Sequence, residues 1–190
     1  FLRQHVPFPH AVFGINTRRE GLFNLCYGNA LLSRHAIVRA ENVAFGQKRI
    51  GEKGFLFAEL NVYERRVPLI NLHLHYRSRV QRFKQLDRLV PWLTLQHRVH
   101  GAHWRLPPIV CGDFNTSSRK SDATAALLGH LHRFADYALH PQGVATFPSP
   151  WPQCTLDFVL LPQACRQVHC EVVDTMLSDH RPVLVDFTLP

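Results

Sequence analysis

Short apolar runs recur along this chain, and several of them end in a polar cluster. One run ends at Val110-Cys111 and leads into Gly112-Asp113-Phe114-Asn115. A second cluster, Ser178-Asp179-His180-Arg181-Pro182, is followed by a strand-like run from Val183 to Leu189. A carboxylate at the edge of a buried strand is costly unless a metal or hydrogen bonds satisfy it. The two acidic clusters therefore indicate a hydrolytic site more than a decorated surface.

The pattern of apolar residues predicts both strands and helices. Strand-like segments are His10–Ile15, Asn24–Leu32, Gly54–Val62, Val67–Leu74, Pro108–Cys111, Leu156–Leu161, Val168–Val173 and Val183–Leu189. Tyr63-Glu64-Arg65-Arg66 separates two of them and predicts a hairpin. Apolar residues at three- and four-residue steps predict an amphipathic helix from Arg77 to about Val90, which Pro91 kinks or restarts. A second helix is expected over Ser121–Leu131, with Ser118 or Ser121 as its cap.

Strands and helices interleave, but hairpins are present too, so the pattern favours a mixed-sheet α/β sandwich over a pure βαβ repeat. The chain has 190 residues, of which 46% are hydrophobic and 19% charged. This composition fits one domain spanning residues 1–190.

The net charge indicates the kind of partner, and the cysteines indicate which metal sites and cross-links to expect. The formal net charge is +8, which favours an anionic partner: nucleic acid, an anionic membrane surface or a phosphorylated small molecule. Five cysteines with no C-x-x-C pair argue against a zinc site or a disulfide framework. Pairing of Cys165 with Cys170 stays open if the chain is exported.

Four polar clusters succeed one another at the ends of apolar runs, and their order is informative. They are Asn71-Leu72-His73-Leu74, Gly112-Asp113-Phe114-Asn115, Leu156-Asp157-Phe158-Val159 and Ser178-Asp179-His180-Arg181-Pro182. This order resembles the endonuclease/exonuclease/phosphatase superfamily, and the segment from Tyr27 to Arg34 is similar to its bacterial members. Arg82 and Gln85 also match the family's helix after the His73 strand. The resemblance spans essentially the whole chain and implies a four-layer α/β/β/α sandwich of two mixed sheets.

The resemblance implies a hydrolase: a Mg²⁺- or Mn²⁺-dependent phosphoesterase, most directly a phosphodiesterase acting on nucleic acid. Asp113 would orient or deprotonate the attacking water and would also serve the metal. Asn115 would steady the transition state from the same loop. Asp179 would be a metal-side carboxylate.

The two histidines of the pattern would face the phosphate. His180, held in one tautomer by Asp157, would contact the scissile phosphate, and His73 would hydrogen-bond a phosphate oxygen. Each residue alone has a simpler interpretation: His73 also fits a core histidine, while Asp157, Asn115 and Asp179 also fit turn or helix caps.

The sequence departs from the family in one respect. The family's metal site normally includes an Asn on the first strand and a Glu in a Gln-Glu pair, and neither is present after Phe1; Glu59 lies on a strand but not in the matching context. Since His10–Ile15 resembles the family's segment just after that Glu, we expect one β–helix–β unit upstream of Phe1, and weak Mg²⁺ binding by the 190-residue chain alone.

The cellular compartment stays open: the cytoplasm is favoured, with export or membrane anchoring upstream of Phe1 as alternatives. The sequence does not give the oligomeric state.

Two alternatives to a nuclease remain. One is a phospholipid or sphingomyelin phosphodiesterase, or a phosphatase, of the same superfamily. The inositol-phosphatase signature Trp-Cys-Asp-Arg is not present, because the local sequence from Trp151 to Asp157 differs. The other is an inactive binding module that kept the fold. His97, His100 and His103 recur at three-residue steps without the acids of a zinc motif, so a solvated helix end is expected there.

Overall fold

The computed structural model describes residues 8–19, 25–46, 52–116 and 122–190. Within these residues the chain forms ten strands and two α-helices. In chain order they are β1 (His10–Arg19), β2 (Leu25–Ser33), β3 (Ala36–Ala44), β4 (Gly54–Val62), β5 (Arg65–His73), α1 (Arg79–His100), β6 (Ile109–Asp113), α2 (Ala123–Leu131), β7 (Tyr137–His140), β8 (Asp157–Pro162), β9 (Arg166–Val172) and β10 (Val183–Thr188).

Six strands form one mixed sheet in the order β3-β4-β5-β6-β8-β7. The β5–β6 pair is parallel and the other pairs are antiparallel. Parallel neighbours need a crossover connection, and α1 supplies it between β5 and β6. Strands β1 and β2 form one antiparallel pair outside this sheet, and β9 and β10 form another.

The predicted hairpin between β4 and β5 is confirmed. Its two turn residues, Tyr63 and Glu64, have φ angles of 48° and 63°. Two-residue turns with positive φ at both positions match the right-handed twist of antiparallel strands. The turn fixes a register in which Gly54 lies opposite His73 at the far end of the hairpin.

Helix α1 begins at Arg79, close to the predicted start at Arg77, but extends further than predicted. Ser78 caps it by accepting a hydrogen bond from the Gln81 amide at 3.2 Å. The helix continues through Pro91 and ends at His100, so it neither ends near Val90 nor restarts after the proline. A proline inside a helix costs about 3 kcal/mol. Burial of Leu93 beyond the proline offsets that cost, since Leu93 has no solvent exposure.

Helix α2 is confirmed, but its cap is a different residue. Asp122 accepts a hydrogen bond from the Ala123 amide at 2.7 Å. The predicted caps Ser118 and Ser121 lie outside the described residues.

The two helices pack together on one face of the main sheet. Their contact with the sheet buries a core that includes Phe55, Phe57, Ile70, Leu72, Leu89, Leu93, Leu127 and Leu131. On the other face, Val185, Phe187 and Leu189 pack against a second cluster that contains Val67, Ile109 and Leu161. The layering confirms the predicted α/β sandwich. Among the described residues, no helix is long and apolar enough to cross a bilayer.

Candidate active site

Three polar side chains lie side by side at one edge of the main sheet. His73 ends β5, Asp113 ends β6 and Asp157 begins β8. The register places His73 opposite Asp113, and Asp113 opposite Asp157. Since neighbouring strands lie about 4.8 Å apart, the three positions form a row roughly 10 Å long. Strand pairing therefore joins three of the sequence-predicted residues.

The backbone after β6 sets the direction of the Asp113 carboxylate. Gly112 has a φ of 136°, and a Cβ there would lie 1.9 Å from the carbonyl oxygen of Leu72. Asn115 also has a positive φ, 51°, which Asn adopts more readily than most residues. Only a glycine and a residue tolerant of left-handed backbone therefore fit this turn.

The turn brings Asn115 back onto Asp113. The Asn115 backbone amide donates to Asp113 Oδ1 at 2.8 Å, and Asn115 Nδ2 donates to Asp113 Oδ2 at 2.9 Å. The same Nδ2 donates to the carbonyl oxygen of Leu74 at 3.0 Å. Asn115 thus orients the carboxylate from within its own loop.

His73 lies between Asp113 and two residues that sequence reasoning did not assign a role. Its Nε2 is 3.2 Å from Asp113 Oδ2. Its Nδ1 is 3.0 Å from the Tyr27 hydroxyl, and Lys53 Nζ contacts both ring nitrogens. Burial, and secondly the charge of Asp113, raises the pKa of Tyr27 to about 12. Burial lowers the pKa of Lys53 to about 8, against the opposing effect of Asp113.

His180 is paired with Asp157, as the resemblance implies. His180 Nδ1 lies 2.7 Å from Asp157 Oδ2, and Thr146 Oγ1 donates to the same oxygen at 2.7 Å. Burial raises the pKa of Asp157, although the hydrogen bonds from Thr146 and His180 oppose it. Burial alone would lower the pKa of His180, but the Asp157 carboxylate more than offsets this and raises it. The pair therefore favours the charged imidazolium.

Asp179 lies beside this pair, but its carboxylate is exposed. Its Oδ1 accepts from Ser178 Oγ at 3.1 Å, and its backbone carbonyl accepts from the Ser149 amide at 2.9 Å. The backbone contact joins the 147–151 loop to the loop that carries His180. Asp179 also contributes to the raised pKa of His180.

The residues present fit a hard divalent cation. Asp113 and Asp157 each offer a carboxylate oxygen, and these two oxygens and a ring nitrogen of His180 lie within 4.8 Å of one another. Asp179 is not a member of this group. Carboxylate oxygens are the ligands that Mg²⁺ prefers, and Mn²⁺ accepts them too. A cation here would also relieve the repulsion between the two carboxylates, which adds to the raised pKa of Asp157.

Comparison with known proteins identifies the family. The profile of the Endonuclease/Exonuclease/phosphatase family matches residues 20–180. The chain belongs to this family. The matched segment includes every predicted site residue from His73 to His180. No curated protein sequence is similar enough to count as a relative.

Solved structures of several bacterial proteins share the fold. An endonuclease/exonuclease/phosphatase from Bacteroides vulgatus aligns with a TM-score of 0.72 at 14% identity, over 100% of this chain and 79% of its own. The Bacteroides thetaiotaomicron mannosyl-6-phosphatase aligns with a TM-score of 0.67 at 13% identity, over 98% and 79%. Sphingomyelinase C from Streptomyces griseocarneus aligns with a TM-score of 0.57 at 19% identity, over 94% and 77%. At these identities, the likeness establishes the fold alone.

The residues that the sequence argued against as ligands have structural contacts. Glu59 accepts from Trp104 Nε1 at 3.0 Å and lies 3.9 Å from Arg66 Nε. His97 lies on α1 and stacks on Phe134 with ring centroids 4.3 Å apart. Both side chains pack against neighbours, so the His97 ring at this predicted solvated helix end is only partly solvated.

Proposed function

We propose that this chain is a divalent-metal-dependent phosphodiesterase that acts on nucleic acid by in-line attack of water. The observation that carries the proposal is the row of His73, Asp113 and Asp157 at one sheet edge, with His180 bonded to Asp157. Phosphoester cleavage needs an activated nucleophile and donors aimed at the phosphoryl oxygens. The row places the Asp113 carboxylate beside the His73 imidazole, and Asp157 on its other side holds the second imidazole, His180.

Asp113 would orient the attacking water and accept its proton. Asn115 supports that role because its two hydrogen bonds hold both carboxylate oxygens in place. His180 would donate a hydrogen bond to a phosphoryl oxygen as the imidazolium that Asp157 stabilises. His73 would donate to a second phosphoryl oxygen from the other side of Asp113.

Asp113 and Asp157 would hold the cation, with Asp179 as a further carboxylate from the neighbouring loop. A bound Mg²⁺ or Mn²⁺ supplies Lewis-acid neutralisation of the charge that develops on the phosphate.

The charge of the chain supports nucleic acid as the substrate. The net charge of +8 would attract a polyanion at long range, and such attraction weakens as salt is added. We expect the protein, expressed from its complete coding sequence, to nick plasmid DNA with Mg²⁺ and to stop when EDTA is added.

The matched variants for this assay are Asp113→Asn and Asp186→Asn. Loss of a general base lowers the rate by about 10²–10⁴-fold, so Asp113→Asn should nearly abolish nicking. Asp186 is exposed on β10, and its replacement should leave the rate unchanged. Equal rates for wild type and Asp113→Asn would contradict the proposed role. No metal binding by calorimetry would instead favour an inactive binding module.

A second substrate class is favoured by exposed apolar side chains beside the site. Leu177, which directly precedes the Ser178-Asp179-His180 segment, is 95% exposed, and its neighbour Met176 is 77% exposed. Trp151, in the loop bonded to Asp179, is 79% exposed. Exposed apolar groups around a site mark contacts with protein or membrane. These exposed apolar side chains beside the site suit a phospholipid substrate such as sphingomyelin.

Vesicle hydrolysis distinguishes the two substrate classes. A lipid phosphodiesterase would release phosphocholine from sphingomyelin vesicles, and Leu177→Ser would slow that release while sparing a soluble phosphodiester. Val99→Ser removes a side chain with 56% exposure on α1 and is the matched control. Plasmid nicking without phosphocholine release would leave the nuclease proposal standing.

A further inference from the structure

Lys53 directly precedes β4 and reaches the candidate site from an unexpected direction. The β4–β5 register places Gly54 opposite His73, so the preceding lysine lies beside that histidine. Its Nζ contacts both ring nitrogens of His73 and the hydroxyl of Tyr27. Its ammonium also lies 4.7 Å from the centre of the Tyr27 ring. The charged group is therefore held at the His73 end of the row.

A positive charge at the His73 end of the row would attract a phosphate in addition to any cation held by Asp113 and Asp157. Both of those residues are carboxylates, which repel an anionic phosphate when no cation is bound. Arg181 lies near His180, but its Nη2 is 2.7 Å from Asp174 Oδ1 and its Nε donates to the carbonyl oxygen of Ser149. Its charge is thus already engaged in holding a loop. Lys53 instead points its charge at groups that belong to the site.

The surroundings of Lys53 do not resemble those of a structural lysine. A structural lysine keeps its charge in water or pairs with a carboxylate. Within the described part of the chain, the ammonium of Lys53 directly contacts an imidazole and a phenol and forms no ion pair with a carboxylate. The charge of Asp113 acts on it only from the far side of His73. A partly buried cation in such surroundings is suited to receiving an anion.

We propose that Lys53 binds a non-bridging oxygen of the scissile phosphate, beside His73, and that Tyr27 holds the ammonium in place. This inference rests on the proposed phosphodiester hydrolysis. It adds a phosphate-binding residue at the opposite end of the row from His180. A lowered Lys53 pKa, about 8, is consistent with a group whose charge is incompletely solvated before the anion arrives.

The test is binding of dimethyl phosphate in the presence of EDTA, which separates anion binding from turnover. The sequence contains four lysines, Lys48, Lys53, Lys84 and Lys120, so their ¹³Cε signals can be resolved by NMR. Titration of the wild-type protein should move the Lys53 signal. Lys53→Met should weaken binding by about tenfold or more, since a hydrogen bond to a charged group is lost.

Lys84→Met is the matched control, because Lys84 lies on α1, away from the row. Its dissociation constant should equal that of the wild type, and Lys53→Arg should retain part of the affinity. The proposal is overturned if the Lys53 signal does not move, or if Lys53→Met binds within about twofold of wild type. The Lys53 signal of the wild-type protein tests the proposal even if Lys53→Met does not fold.

Activity assays separate this proposal from the proposed function. If the wild type binds dimethyl phosphate through Lys53 but cleaves no phosphodiester, the proposed function fails and the anion site stands. If the wild type is active and Lys53→Met keeps the same KM and kcat, the proposed function stands and Lys53 is not a phosphate-binding residue.

Discussion

Replacing Arg82 by methionine should destabilise the fold through a contact that joins α1 to α2. Arg82 is 7% exposed. Its Nε donates to Asp122 Oδ1 at 3.2 Å and its Nη2 to Asp122 Oδ2 at 3.0 Å. Its Nη1 donates to the carbonyl oxygen of His75 at 3.1 Å, just beyond the end of β5. One side chain thus fixes the start of α2 and the chain that leaves His73.

The expected decrease in the free energy of unfolding arises because Arg82→Met leaves Asp122 without its ion-pair partner. Removing one member of a buried ion pair costs about 3–5 kcal/mol. Asp122 keeps its hydrogen bond from the Ala123 amide and is partly exposed, so we expect the lower figure, about 3 kcal/mol. For a chain of this size, each kcal/mol lowers Tm by about 2–4 °C, which gives a decrease of roughly 6–12 °C.

The effect should depend on pH in a defined direction. Burial alone would raise the pKa of Asp122, but hydrogen bonds from Arg82, Thr116 and Ala123 and the Arg82 charge lower it below its ordinary value. A carboxyl with a lowered pKa contributes stability above its unfolded pKa, and this stability is lost as pH falls through the folded value. The difference between wild type and Arg82→Met should therefore shrink below about pH 4.

Urea denaturation monitored by circular dichroism measures this difference. Arg98→Met is the control, because Arg98 is exposed on the same helix. A loss below about 1 kcal/mol for Arg82→Met, or an equal loss at about pH 3 and pH 7, would refute the reasoning.

Three further predictions concern the site and its support. Asp157→Asn should lower the pKa of His180, measured by NMR titration of the metal-free protein; an unchanged pKa would show that Asp157 does not hold the imidazolium. The stability lost in Asp157→Asn should be larger at about pH 6 than at about pH 9. The raised pKa of His180 means that its pairing with Asp157 stabilises the fold at low pH, and this stability is lost as the pH rises through the folded pKa. Phe114→Ala removes a ring with 0% exposure and should cost about 3–5 kcal/mol in urea denaturation; under about 1 kcal/mol would exclude a tightly packed ring. Gly112→Ala should unfold at lower temperature than wild type, because its Cβ would meet the Leu72 carbonyl oxygen at 1.9 Å; an unchanged Tm would contradict this backbone geometry.

The sequence predicted most strands but missed two at the rims of the main sheet. Strand β3 carries Arg39, Glu41 and Asn42 among its apolar residues, so its alternation is weak. It lies at the end of the main sheet, where it pairs with β4. Strand β7 has four residues, which is too short for a periodic pattern to be recognised. Both form because a paired neighbour supplies the hydrogen bonds.

In the candidate site, too, some features could be predicted from the sequence and others could not. The Gly112-Asp113-Phe114-Asn115 turn was predictable because its geometry depends on residues next to one another. The contact of Thr146 with Asp157 was not, since no local pattern links them. Lys53 had a usable signal: counting outward from the Tyr63-Glu64 turn places Gly54 opposite His73.

The sequence by itself determined most of the strands along the chain, the turn that aims Asp113, and which polar residues come after apolar runs. These features depend on local periodicity and turn chemistry, which are set by residues close together in the sequence. Only the tertiary structure decided which of those residues meet, because strand register joins positions far apart in the chain. It placed Lys53 and Tyr27 at His73, and it left the Asp179 carboxylate in solvent outside the cluster of Asp113 and Asp157.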